Sequence, residues 1–271
     1  MDVRDLMFQG MENKKFRAVL TAERSGVLSG VEAARARAKA LGITLELCKT
    51  EGDELSHGER FGNFLASPKQ IALAEEQIIG TLAKSSGIAT AARTAVQLAD
   101  GRVRIVSGSW KKMPPEIKEM VRTATASGGA AFRICQPPMA YLDKNFIRMF
   151  GSIPAALDAC QRLPGFTRVV QIRGITAGIE EETIQAVKGG AAILMVDTGE
   201  LADLDCCLTT LDRLGGRKLA EVAFAGNVRL TDIPELAERG IDILCIGKEI
   251  VDAKLLDMKL DVLGGGMTGW D

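Results

Sequence analysis

Five charged residues in the chain sit where a charge calls for an explanation: Lys111, Arg133, Lys144, Arg173 and Asp197. Asp197 closes the apolar run AILMVD (192–197). A carboxylate at the end of such a run needs a partner, either a bound metal ion or the first turn of a following helix. Lys111 comes shortly after the run VRIV (103–106), just past the end of a strand. Arg133 lies between Gly128-Gly129 and Pro137-Pro138, which are poor surroundings for an ordinary surface helix. Lys144 in YLDKNFI and Arg173 in VQIRG stand at similar junctions. Bases of this kind hold carboxylates or phosphates through charge-assisted hydrogen bonds, or else face solvent. Trp110 and Phe132, each beside one of the bases, could stack on an aromatic ligand or fill a pocket. Gly226-Asn227 and Gly247-Lys248 follow the runs AEVAFAG and IDILCIG. A glycine there either makes a turn or lets the backbone come close to a phosphate. The single histidine, His57, falls in the turn-rich stretch EGDELSHGERFG, which leaves no histidine-based nucleophile system and no multi-histidine metal site.

The elements that must position these residues follow a strand–helix alternation. Short apolar runs at 103–106, 169–172, 192–197, 220–226 and 241–247 are separated by amphipathic stretches at Pro115–Ala126, Ile153–Arg162, Glu180–Lys188 and Thr231–Arg239. Strands apolar on both faces and joined by helices predict a parallel sheet. No dinucleotide glycine fingerprint follows the first of them, so a barrel is favoured over a Rossmann sheet. Barrel ligands gather at the strand C-termini, with phosphate near the last two strands. The first hundred residues differ. FRAVLTAER (16–24) alternates as a half-buried strand, a helix covers Gly30–Leu41, ITLELC (43–48) predicts a second strand, and a long helix starts at Ser67-Pro68.

Composition narrows the classes. With 271 residues, 46% of them hydrophobic and 25% charged, the chain can bury a sizeable core. A net charge of −1 with mixed signs excludes a nucleic-acid groove and a polybasic membrane surface. No apolar stretch is long enough to span a bilayer, and Met1–Lys15 lacks a signal pattern. Six scattered cysteines without a C-x-x-C pair predict buried, reduced thiols in a cytoplasmic protein.

Several strings, in order, resemble the quinolinate phosphoribosyltransferase family. RSGVLSGVEAA (24–34) is similar to its "GVLAG" segment, and EGDELSHGERF to its "dGd…G" hairpin. SSGIAT (85–90) matches a string of the family, GGAAFR (128–133) sits at its "GGG..HR", and YLDKNFI (141–147) sits at its "LIKDNHI". ILMVDT (193–198), FAGNVRLTDI (224–233) and LLDMKLDVL (255–263) are similar to "ImLDN", "ASGGI..eNI" and "lDisLki". The resemblance implies an α/β protein with a small N-terminal α/β sandwich domain over 1–100, to which 256–271 returns. An incomplete parallel α/β barrel of the type II phosphoribosyltransferase kind would span 101–255. It also implies a homodimer or larger homo-oligomer that uses phosphoribosyl pyrophosphate with Mg²⁺ in NAD biosynthesis.

Some positions depart from the family pattern. Glu75-Glu76 stands where the family has a glutamate–arginine pair, so a base that meets substrate carboxylates has become an acid. In SGSWKKMPP, Lys111 keeps the lysine of "TRKTxPG" while Trp110 replaces its arginine. Phe132 replaces a histidine although Arg133 remains, and Asp143-Lys144 inverts a lysine–aspartate pair. VQIRG stands at "EVEV" with Gln171 or Arg173 at the acidic positions, and Asp197 keeps the second acid. The resemblance therefore implies Lys111 and Asp197 in catalysis, with Asp197 also holding Mg²⁺ or the ribose. Arg133, Lys144, Arg173, Trp110 and Phe132 would meet the substrate, and Gly226, Asn227, Gly247 and Lys248 the 5′-phosphate. The acceptor would be an aromatic small molecule less acidic than quinolinate. A non-catalytic paralogue that binds a phosphorylated ligand or a partner protein is the alternative, and another barrel chemistry on a phosphorylated substrate is a third.

Overall fold

The structure, a computed structural model, describes residues 2–263. The glycine-rich tail GGGMTGWD, with Trp270, lies outside them. In chain order the strands are β1 (Phe16–Ala22), β2 (Gly26–Val27), β3 (Glu46–Leu47), β4 (Glu54–Leu55), β5 (Arg60–Ala66), β6 (Arg104–Val106), β7 (Met139–Leu142), β8 (Thr167–Ile172), β9 (Ile193–Val196), β10 (Glu221–Phe224), β11 (Ile243–Cys245) and β12 (Met258–Leu263). Two compact units form. Among the described residues one comprises 2–94, 113–129 and 252–263, and the other 95–112 and 130–251.

The first unit is built on the sheet β12-β1-β5-β3. β1 is buried on both faces from Ala18 to Ala22, Val19 and Thr21 included, which corrects the expectation of a half-buried strand; Ala18, Leu20 and Ala22 are fully covered. The helix Val31–Ala40 contributes Val31, Ala34 and Ala38 to the same core, at steps of three and four. The strand expected over 43–48 shrinks to β3, because only Glu46 and Leu47 find partners on β5. β12 pairs antiparallel with β1 from Arg17↔Leu263 to Ala22↔Met258.

Ser67 and Gln70 form a capping box that starts the long helix. The helix does not end before SSGIAT. It passes through a π-helical turn at Glu75–Ile79 and continues as Gly80–Ala99, so SSGIAT lies inside it. Its residues are packing devices. Ser86 Oγ accepts from Ser29 N at 2.9 Å and Thr90 Oγ1 from Val27 N at 2.9 Å. A Cβ on Gly87 would lie 2.0 Å from the Lys254 carbonyl oxygen. The helix Lys118–Ser127, expected with the barrel, groups with this unit instead. Gly128 fits closely against Ala89 and Ala92, and Ser127 Oγ donates to Glu51 Oε1 at 2.7 Å.

The second unit holds six strands in the order β6-β11-β10-β9-β8-β7. All are parallel, and a bridge from Val106 to Ala131 extends the sheet beyond β6. Laid flat, β6 and β7 would stand roughly 24 Å apart, five intervals of about 4.8 Å. Yet Val106 and Ala131 from one edge share a core cluster with Met139 and Tyr141 from the other, together with Val169, Ile193, Met195, Ala223 and Ile243. Lys111, which follows β6, also sets its Nζ 4.9 Å over the ring of Tyr141 in β7, an approach of the two edges that a curled sheet provides. The result is an incomplete α/β barrel. β7 escaped the apolar-run pattern because MAYL is short and largely half-buried.

Among the described residues no helix is long and apolar enough to cross a membrane. All six cysteines are free, but only Cys160 and Cys207 are buried and Cys48 is exposed, which corrects the expectation of uniformly buried thiols.

Candidate active site at the strand ends

β8 and β9 are in register through Ile172↔Val196, so the residues that follow them, Arg173 and Asp197, emerge side by side. Arg173 Nη1 lies 3.0 Å from Asp197 Oδ2, each side chain about one-third exposed (33% and 30%). Gln171, buried in β8, donates its Nε2 to the same carboxylate oxygen. Its Oε1 accepts from Lys144 N at 2.6 Å, just past β7. Three adjacent strand ends are thereby tied together through one amide. The order Asp143-Lys144 has a local cause. Asp143 caps the helix Lys144–Phe150, accepting from Asn145 N at 2.8 Å and Phe146 N at 3.1 Å.

The turn that carries Arg173 is held from beneath by Glu182, whose side chain is almost fully buried at 1% exposure. The Glu182 carboxylate accepts from the backbone N–H groups of Arg173, Gly174, Ile175 and Thr176 at 2.7–2.9 Å, and from Thr176 Oγ1 at 3.2 Å. Sequence reasoning missed this residue. The available signal was the triplet Glu180-Glu181-Glu182 in the first turn of the helix Ile179–Lys188, where acids are usually explained by the helix dipole.

Lys111, in the short 3₁₀ turn Ser109–Lys112, sets its Nζ 4.9 Å over the Tyr141 ring. Burial, followed by the charges of Cys245 and Asp197, pushes the Tyr141 phenol well above its ordinary range. Burial and then the Asp197 charge push the Cys245 thiol up to about 12, while Arg104 and Lys111 act the other way. Lys111 thus lies against Tyr141, and the Asp197 charge reaches both Tyr141 and Cys245.

Other expected site residues fall elsewhere or have structural duties. Trp110 donates its Nε1 to the Phe132 carbonyl at 2.7 Å and meets the Phe132 ring edge-on, with centroids 6.5 Å apart. Both aromatics are therefore engaged with each other. Arg133 lies 5.4 Å over the Phe132 ring. It lines a cavity of ≈ 480 Å³ together with Arg104, Thr167 and Glu221, the first residues of β6, β8 and β10. That is the strand-start end, away from Asp197. Gly226, at φ +122°, packs so closely on the loop after β9 that a Cβ would lie 2.3 Å from Gly199 N. Asn227 is left-handed at φ +52°. Gly247 is just as close to Ser109, where a Cβ would come 2.4 Å from Oγ. Lys248 is exposed at the start of the short helix Lys248–Val251. Nearby, Arg229 pairs with Asp232 at 3.0 Å, and Glu249 accepts from Leu230 N at 3.4 Å, so acids and bases balance around these two loops.

A magnesium ion at Asp197 suits this donor set poorly. Among the described residues no group of three or more His, Cys, Asp or Glu side chains could hold a metal. Mg²⁺ is usually held by one or two carboxylates with substrate phosphates. Here one oxygen of the Asp197 carboxylate already serves Gln171 and Arg173, and the neighbouring Asp143 is occupied in capping its helix. Setting positive charge beside a guanidinium costs about 4 kcal/mol per unit charge at 4 Å near a protein surface.

The family description "Quinolinate phosphoribosyl transferase, C-terminal domain" matches residues 88–261, and its N-terminal counterpart matches 5–86. The chain belongs to the quinolinate phosphoribosyl transferase family. It is thereby one of the phosphoribosyltransferases. Among individual relatives, the probable nicotinate-nucleotide pyrophosphorylase (carboxylating) of Methanothermobacter thermautotrophicus is 26% identical over 251 residues, covering 91% of this chain and 88% of that protein. The nicotinate-nucleotide pyrophosphorylase (carboxylating) of Rattus norvegicus is 27% identical over 252 residues, covering 92% and 82%. Two solved structures share the fold. The nicotinate-nucleotide pyrophosphorylase of Francisella tularensis gives a TM-score of 0.82 at 21% identity, covering 96% of this chain and 90% of that one. That of Ehrlichia chaffeensis gives 0.83 at 18%, covering 97% and 92%. The family's architecture of a small N-terminal domain and an incomplete barrel is the one observed.

Proposed function

We propose that this protein carries out phosphoribosyl transfer in NAD biosynthesis, from phosphoribosyl pyrophosphate to an aromatic or heteroaromatic base less acidic than quinolinate. The bond from the ribose C1 to pyrophosphate breaks, a bond from C1 to the acceptor forms, and pyrophosphate leaves. One observation carries this reading: in a chain of this family, Lys144 N, Gln171, Asp197 and Arg173 are wired together at three adjacent strand ends, with Lys111 beside them. Asp197 is the group able to stabilise positive charge building on the ribose ring, and fixed charge of that kind is a large part of such catalysis. Lys111 and Lys144 would hold anionic groups of the substrates, and the Gly226-Asn227 and Gly247-Lys248 loops would face the 5′-phosphate. The relatives are named as enzymes, which favours transfer over a non-catalytic paralogue. The working form in this reading is a homodimer or larger homo-oligomer.

The narrowing to a less acidic acceptor follows from Trp110, Phe132 and Glu76, which stand where bases were expected, and from Arg133 lining the strand-start cavity. An unpaired buried carboxylate costs about 3–5 kcal/mol, so quinolinate should turn over at least about 100-fold more slowly than the preferred acceptor. The test is pyrophosphate release from phosphoribosyl pyrophosphate across a panel of pyridine mono- and dicarboxylates. Turnover of quinolinate near about 10 s⁻¹, the median enzyme value, would refute the narrowing. No pyrophosphate release with any acceptor of the panel, together with no binding of the donor, would refute transfer itself.

A further inference from the structure

The Asp197 carboxylate already has a cation. Arg173 Nη1 sits 3.0 Å from its Oδ2, and Gln171 donates to the same oxygen. The Gln171 amide cannot turn over to offer its oxygen to a metal, because that oxygen accepts from Lys144 N at 2.6 Å on the opposite side. Arg173 is equally fixed at its base, where Glu182 binds its backbone N–H and those of the next three residues. An arginine with its root clamped and its tip on a carboxylate is a permanent part of the site. Its remaining donors, on Nε and Nη2, have no partner among the described residues, and the side chain is 33% exposed. A guanidinium carries five N–H donors in a planar fork that matches phosphate oxygens two at a time.

Resting on the transfer reading, we propose that Arg173 is the resident cation of this site and meets the pyrophosphate group of the donor directly. No divalent ion is bound at Asp197, and donor binding by the protein does not require one. The ion pair with Asp197 aims the fork, and the Glu182-held turn positions it. The same pairing keeps the Asp197 charge compensated until substrate arrives, which suits a carboxylate whose task is to face a transient positive charge.

Titration calorimetry of the full chain with inorganic pyrophosphate and with phosphoribosyl pyrophosphate, in excess Mg²⁺ and in EDTA, tests this alongside Mn²⁺ binding followed by electron paramagnetic resonance. The expected result is binding in both conditions with affinities within about threefold, well under the tenfold that 1.4 kcal/mol represents, and no Mn²⁺ site on the protein alone. Arg173→Ala should weaken pyrophosphate binding about 10- to 100-fold in EDTA, the range for losing hydrogen bonds to a charged group. Arg173→Lys should recover only part of it, because an ammonium cannot offer the fork. The lysine variant also keeps the test informative if the alanine variant misfolds. Pyrophosphate binding seen only with Mg²⁺, or a Mn²⁺ site abolished by Asp197→Asn, overturns the inference and leaves phosphoribosyl transfer standing. Binding of neither ligand in either condition overturns both.

Discussion

Replacing Glu182 by glutamine changes one atom type in a buried side chain, and the structure sets the size of the consequence. The carboxylate accepts four backbone N–H groups and one hydroxyl. A glutamine can keep its oxygen toward Ile175 and Thr176, but its NH₂ group then faces the N–H groups of Arg173 and Gly174. Two buried donors are left without acceptors at about 1–3 kcal/mol each, and the surviving bonds lose their charge assistance. The total comes to about 3–5 kcal/mol, a large share of the 5–15 kcal/mol that holds a typical domain. Much of it should appear as local opening of the 173–176 turn, since that is where the orphaned donors lie. Hydrogen exchange read by mass spectrometry should show the amides of Arg173–Thr176 losing protection by about 100-fold or more, and urea unfolding should show a lower midpoint. Pyrophosphate binding should weaken in the same variant, because Arg173 loses its anchored base. Unchanged exchange at those amides, with less than about 1 kcal/mol lost overall, would refute the view that Glu182 sets the turn.

Two further outcomes follow from particular contacts. Gly226→Ala forces a side chain onto a left-handed backbone with its Cβ 2.3 Å from Gly199 N, and should cost about 2–4 kcal/mol in a thermal melt, whereas Gly58→Ala, at φ +79° with nothing within 4 Å, should cost about 1 kcal/mol. With its thiol pushed up to about 12, Cys245 should resist thiol reagents at pH 8, where roughly one in ten thousand is thiolate, and so should buried Cys207, pushed up to about 11, while exposed Cys48 labels first; early labelling of Cys245 on peptide mapping would contradict this.

The barrel was legible because strands buried on both faces carry their pattern in composition alone: ILMV in β9 is wholly buried, and any parallel sheet demands such runs. Asp197 was legible for the same reason, as a charge at the end of an apolar strand. Its partner was not. Whether an isolated carboxylate meets a metal, a helix end or an arginine depends on which neighbouring strand end lies beside it, and that is a matter of register. Arg173 could be singled out as a candidate, but only the Ile172↔Val196 pairing places it on Asp197. Glu182 was hidden because it acts on N–H groups six to nine residues upstream, while its position in a helix first turn offered a simpler explanation. SSGIAT was visible as a string, yet it serves close packing in this fold, which is plain only from Gly87, where an added Cβ would lie 2.0 Å from the Lys254 carbonyl oxygen. Trp110 presents the converse case. The residue type suggested a stacking surface, but its one N–H is committed to the Phe132 carbonyl.

The pairing of β12 with β1 joins residues near opposite ends of the chain, Arg17 with Leu263. A nascent chain emerging from the ribosome can make β1, β5 and the helix that covers them, but the outer neighbour of β1 is synthesised only after all six barrel strands. Until it arrives, β1 is an open edge able to recruit a foreign strand. This sheet is therefore completed only after the barrel strands have been made, and a chain cut before Met258 should go toward aggregates rather than merely lose stability.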